Sequence, residues 1–269
     1  MKTKATTFPA LWVSLPLALL VAITACAGLW WPPTYARDSA LWAAEGRGGD
    51  AVNLVVIVPV LLAGAGWAQR GSISARLVWM GTLVFLLYNF VIYAVAVHFN
   101  ALFLAYCGIL GGCFYALVGC FPSLSPADVA GAFGRRAPVR TMAAVLGLIG
   151  LVFAALWLRE IVPALISGQT PKSLADAGLI TNPVHILDLS FVLPGLIVTA
   201  ILLLRRRAVA FVLAPVLMVF CVLMTVAIAG MMVAMVRGNF AADYTMAAFF
   251  LAAAAGCAAL LARYFRRYN

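Results

Sequence analysis

Long apolar runs separated by short polar turns recur from one end of the chain to the other. Eight of them, near 9–31, 51–68, 74–97, 101–121, 139–162, 184–204, 208–236 and 242–265, meet or approach the length of about 20 residues that a helix needs to cross a hydrocarbon core about 30 Å thick. The runs are continuously apolar instead of alternating at period two, which predicts transmembrane helices and argues against a transmembrane barrel. The expected fold is an all-α integral membrane protein with eight transmembrane helices.

The polar interruptions repeat. Asp50-x-x-Asn53-x5-Pro59 opens the second run and His185-x-x-Asp188-x5-Pro194 opens the sixth, and each run ends at a basic turn, Gln69-Arg70 or Arg205-Arg206-Arg207. Halving the chain gives a first four-helix repeat (1–127), a linker (128–138) and a second four-helix repeat (139–269). An even number of crossings in each unit makes the repeats parallel. Both halves share an asparagine in their last outer turn, Asn100 and Asn239. The linker region contains Pro126, Gly131, Gly134 and Pro138, which break helices. The outer connections, 32–49 and 163–183, are long for a compact bundle and read as loops, interfacial helices or a lid. Gly46-Arg47-Gly48-Gly49 reads there as a flexible hinge.

Composition agrees: 66% of the 269 residues are hydrophobic and 10% are charged. The net charge of +10 would suit nucleic acid, but its placement decides otherwise. Lys2, Lys4, Arg70, Arg76, Arg135, Arg136, Arg140, Arg205 to Arg207, Arg263, Arg266 and Arg267 fall on one side with only Asp128 as an acid. Arg37, Arg47, Arg159, Lys172 and Arg237 fall on the other, among seven acids. By the positive-inside rule both termini are expected in the cytoplasm, with the bilayer as partner, anionic headgroups as a further contact and no nucleic acid.

Candidate chemistry centres on the echoed pairs. Residues three apart share a helix face, so Asp50 with Asn53 and His185 with Asp188 form two polar constellations. Each is expected in the first turn of its helix, where Asp50 is as well explained as a cap. On the third helix Thr82, Asn89, Tyr93 and Asn100 return to within about 20° of one direction and form a stripe. An outward-facing site between the repeats, lined by Asp50, Asn53, Asn89, Tyr93, His185 and Asp188, is the resulting expectation. Any metal would fall to His185, Asp188 and Asp50. Tyr88 and His98 lie off the stripe. Trp30, Trp31, Trp42, Trp157, Tyr35 and Tyr244 read as an interfacial aromatic belt. Arg159, Glu160 and Asp243 read as snorkelling or capping groups, with Glu160 the better functional candidate.

The six cysteines lie inside apolar helices and read as packing residues. Ile23-Thr24-Ala25-Cys26 resembles a lipoprotein lipobox, but the apolar run continues through Trp31, and retention as the first helix is expected. Nucleotide-hydrolysis, zincin, serine-hydrolase and voltage-sensor motifs are absent. A bis-histidine haem would require His98 and His185 to meet. No cofactor and no oligomeric state is specified.

The strings Gly49 to Pro59, Leu77 to Asn89 and Leu187 to Leu196 resemble a group of uncharacterised bacterial multi-pass membrane proteins. The resemblance implies a location in the bacterial plasma (inner) membrane and transfers no reaction. The leading expectation is small-molecule or ion binding and transport, with carboxylates and imidazole available for proton coupling. The alternative is a membrane-embedded hydrolase or transferase, metal-dependent or not, acting on a lipid or isoprenoid. Whether the chain is an enzyme is left open by its motifs.

Overall fold

The computed structural model describes residues 9–133 and 137–266. Lys2, Lys4, Gly134, Arg135, Arg136 and Arg267, which enter the charge and linker expectations, lie outside the described residues. Among the described residues there are no strands, and eight helices are long and apolar enough to cross a membrane: α1 Ala10–Trp30, α2 Ala40–Gln69, α3 Ile73–Ala96, α4 Phe103–Ser123, α5 Val139–Ser167, α6 Pro183–Leu204, α7 Ala210–Arg237 and α8 Tyr244–Phe265. The chain is an all-α multi-pass membrane protein.

Three expectations about boundaries change. The second helix starts at Ala40, where Ser39 caps it by accepting the Trp42 N–H, so the first outer connection is short and Gly46 to Gly49 lie inside a helix. Glycine disfavours helix by about 1 kcal/mol per residue, and tertiary packing outweighs that preference. A Cβ on Gly48 would sit 2.6 Å from Gly230 O and 2.6 Å from Met231 Cα, and one on Gly230 would sit 2.5 Å from Val52 Cγ2. These glycines let α2 and α7 cross in backbone contact, as small residues do between membrane helices. The fifth helix runs through Pro163 to Ser167, and Lys172–Ala177 forms a short helix beyond it. The linker is not wholly broken either: Pro126–Phe133 is helical and buries Val129 and Phe133, whose ring meets Tyr264 and Phe265.

Both echoed helices widen ahead of their prolines. Pro59 and Pro194 lack the N–H that would bond to the carbonyl four residues back, and their rings would press on it. Val58 N–H therefore donates to Asn53 O and Leu193 N–H to Asp188 O, five residues back, forming π-helical turns Asn53–Ile57 and Asp188–Val192. The agreement continues to the helix ends. Arg70 and Arg205 have φ −81°, ψ 7° and φ −77°, ψ 3°, respectively. Gly71 and Arg206 follow with φ 88° and 51°, and Ser72 N–H and Arg207 N–H bond back to Trp67 O and Leu202 O. Each pair is 135 residues apart in sequence. The left-handed backbone is free of strain for Gly71 and costs about 1 kcal/mol for Arg206.

Helices α3 and α7 form the centre: 61% of the apolar stretch of each is buried, against 22% for α5 and 11% for α8. They pack on one another, and α7 also lies along the first half of α2. Helix α1 closes against α2 and α4, α5 packs on α6, and α8 on α7. Exposed side chains such as Leu104, Leu148, Phe191 and Phe249 are suited to lipid contact. The buried Trp79 Nε1–H donates to Ser14 Oγ at 2.7 Å and ties α3 to α1. Ser14→Ala is expected to lower stability by about 1 kcal/mol, read as a small drop in the thermal midpoint of purified protein.

Candidate functional site: two carboxylates held by aromatic donors

The first centre is built on Asp50, the eleventh residue of α2 and 1% exposed. It is not a helix cap. Tyr35 OH donates to its Oδ2 at 2.6 Å and Tyr93 OH to its Oδ1 at 2.8 Å. Tyr35 lies on the 3-10 turn Pro32–Tyr35 that links α1 to α2, and Tyr93 lies on α3. Burial, then the neighbouring Tyr93 and Asp50, hold the Tyr35 hydroxyl well above the usual phenol range, so it remains a donor at all physiological pH. A turn further along α2, Asn53 Oδ1 accepts from Asn89 Nδ2 at 3.4 Å, while Asn53 Nδ2 is buried without a partner. The carboxylate fits because Gly28 of α1 has no side chain: a Cβ there would be 1.7 Å from Asp50 Oδ2.

The second centre is built on Asp188, the first residue of the π turn in α6. Tyr88 OH donates to its Oδ1 at 2.9 Å and Trp157 Nε1–H to its Oδ2 at 2.8 Å. His185, at the start of α6, packs against Trp157 with ring centres 4.6 Å apart and planes tilted by 45°. Asn182 caps this helix by accepting the N–H groups of Val184 and His185. Both His185 and Asp188 are buried, at 8% exposure each.

Helix α3 serves both centres. Consecutive helical residues point about 100° apart, so Tyr88 reaches Asp188 while Asn89 reaches Asn53. The expected site residues thus divide into two groups, Asp50, Asn53, Asn89 and Tyr93 in one, His185 and Asp188 in the other. Thr82 bonds its own helix at Val78 O, and Asn100 lies past the end of α3, donating to Thr34 O. Among the described residues no group of three or more His, Cys, Asp or Glu side chains is assembled for a metal; Asp50 does not join His185 and Asp188. His98 is occupied with Asp38 near the surface, and His185 with Trp157.

Tyr35, Tyr88 and Trp157 are the residues that sequence reading missed. Tyr35 and Trp157 were expected in the interfacial belt and instead donate inward, whereas Trp30 and Tyr244 are exposed at 70% and 58%. The usable signal was chemical: a carboxylate buried among apolar residues demands donors, and these aromatics are the donors within reach. Glu160 accepts the Ser173 N–H and anchors the short helix Lys172–Ala177. Asp243 caps α8 through Met246 N–H. Tyr93→Phe would leave Asp50 Oδ1 without its side-chain donor. The expected loss is about 1–3 kcal/mol of stability, measured by thermal unfolding, with Tyr35→Phe behaving alike.

No family model matches the chain, and no curated protein or solved structure is significantly similar to it.

Proposed function

We propose that this is a small-molecule or ion binding and transport protein of the bacterial plasma membrane, made of two parallel four-helix repeats with cytoplasmic termini. The 135-residue agreement between α2 and α6 supports the repeats, and the arginines at one end of the bundle support the orientation. The observation that carries the function is the pair of carboxylates inside the membrane-spanning helices. Each lies at or one turn before a π turn, and each is held by two neutral aromatic donors. Such groups are costly in a membrane and are kept where charge or protons move.

A carboxylate in this setting has two arrangements. As an anion it accepts from both aromatic donors. On taking a proton it becomes a donor itself, and one contact must reverse or break. Because Tyr88, Asn89 and Tyr93 all belong to α3, either change acts on the same central helix. Alternating access then needs only a modest repacking of α3 and α7. Catalysis is less well supported, since among the described residues His185 and Asp188 belong to no group of three or more His, Cys, Asp or Glu side chains that could hold a metal.

The test is charge movement on solid-supported membranes bearing the purified protein, challenged with small carboxylates, amino acids and alkali cations. At least one class is expected to give a current that grows with an inward proton gradient. That current should fall by at least about tenfold, a barrier or affinity change of about 1.4 kcal/mol, in Asp50→Asn and in Asp188→Asn. Silence of the wild-type protein to every class, or unchanged currents in both variants, would refute the reading.

A further inference from the structure

Apart from the two carboxylate centres, a cavity of about 340 Å³ lies at the Trp-rich end of α1, between the turn that follows α1 and the turn that follows α3. Trp31, Pro33, Arg37, His98, Phe99 and Asn100 line it. We propose that it binds a small soluble organic anion, a carboxylate or phosphate carried on an apolar body, as the outer binding site of the transport protein proposed above, on which reading its role rests.

Four observations carry this. First, the volume lies in the range of small-molecule sites, about 300–1,000 Å³. Second, the Arg37 guanidinium is exposed and, among the described residues, has one hydrogen bond, to Phe99 O at 3.4 Å. Its remaining donors form a planar fork that matches a carboxylate or phosphate. Third, the neighbouring acid is turned away. The Asp38 side chain is 1% exposed, and its Oδ1 is engaged by His98 N–H at 3.1 Å and His98 Nδ1 at 2.8 Å. Its buried Oδ2 has no partner. This contact orients the half-exposed imidazole of His98, which lines the cavity. Fourth, Trp31, Pro33 and Phe99 give apolar walls, so the cation stands beside surfaces that favour a ring or short chain.

The floor of the cavity is the 3-10 turn that carries Tyr35. Asn100 Nδ2 donates to Thr34 O at 3.0 Å, and Thr34 Oγ1–H donates to Ala27 O at 2.9 Å. The next residue, Tyr35, holds Asp50. A ligand that moves this turn acts directly on a donor of the first carboxylate, which places the cavity at the entrance to that centre.

Benzoate is the probe, titrated calorimetrically into purified protein in phosphatidylcholine nanodiscs, with phenyl phosphate, benzamide and benzylamine in parallel. Saturable binding of benzoate or phenyl phosphate is expected, at least about tenfold weaker for benzamide and benzylamine. Arg37→Gln should weaken anion binding by at least about tenfold, the scale of a lost charge-assisted contact. Arg47→Gln, an exposed arginine on α2, should leave it unchanged. Absent binding, equal binding of benzylamine, or equal binding by Arg37→Gln would overturn the proposal. So would loss of benzoate binding on adding phosphatidylglycerol, which would make the cavity a lipid-headgroup site. Transport that is lost in Asp50→Asn without benzoate binding would reject this inference and spare the transport reading; benzoate binding without any transported solute would do the reverse.

Discussion

Gly48→Leu is expected to prevent assembly of the folded bundle, whereas Gly66→Leu on the same helix is expected to leave it intact. A Cβ at Gly48 already falls 2.6 Å from backbone atoms of Gly230 and Met231, while nothing lies within 4 Å of one at Gly66. Backbone cannot rotate away as a side chain can, so the α2–α7 crossing must open. Overpacking by a methyl group costs about 1–3 kcal/mol, which makes Gly48→Ala a measurably less stable protein. A leucine exceeds that and removes much of the stability of an ordinary domain, about 5–15 kcal/mol. Size-exclusion profiles and thermal midpoints of the three variants check this. A Gly48→Leu protein that elutes and melts like the wild type would show that α2 and α7 do not meet there.

Gly28→Ala is expected to damage transport as severely as removal of Asp50 itself, although residue 28 is on another helix. Its new Cβ would lie 1.7 Å from Asp50 Oδ2. The carboxylate is fixed by Tyr35 and Tyr93 and is fully enclosed, so it can leave only by breaking these contacts, at about 1.5–3 kcal/mol each for hydrogen bonds to a charged group. The two substitutions are coupled through the Asp50 carboxyl group. In an Asp50→Ala background, Gly28→Ala should therefore cost much less stability than in the wild type, a non-additivity that a double-mutant cycle reads. Equal costs in both backgrounds, or full activity in Gly28→Ala alone, would contradict the placement of Asp50.

The eight-helix fold was legible because hydropathy is summed over long windows, where single misleading residues average out. The start of α2 was not. Gly46, Gly48 and Gly49 signal a loop by local preference, and the contacts that favour the helix lie outside it: Gly48 meets Gly230 on a helix about 180 residues away in sequence, and Gly46 meets Tyr35. The echo of Asn53/Pro59 in Asp188/Pro194 was legible as spacing, but its backbone meaning, a π turn before each proline, was not, since a proline inside a helix is equally compatible with a kink. Asp50, Asn89, Tyr93 and Asp188 stood out because polar groups in apolar runs are conspicuous. Tyr35, Tyr88 and Trp157 did not, because an aromatic side chain reads the same at a lipid interface and in a buried network until its hydrogen-bond partner is known.

The account rests on Asp50 and Asp188 being buried carboxylates that gain and lose protons within the membrane. Infrared difference spectra of the protein in lipid, recorded between neutral and acidic pH, observe that event directly through the C=O stretch of the protonated acid. A reversible protonated-carboxyl band is expected in the wild type, slow to exchange in heavy water, reduced in Asp50→Asn and in Asp188→Asn, and absent when both are replaced. A slowly exchanging band that persists in the double variant, or no titrating band in the wild type, would contradict the account.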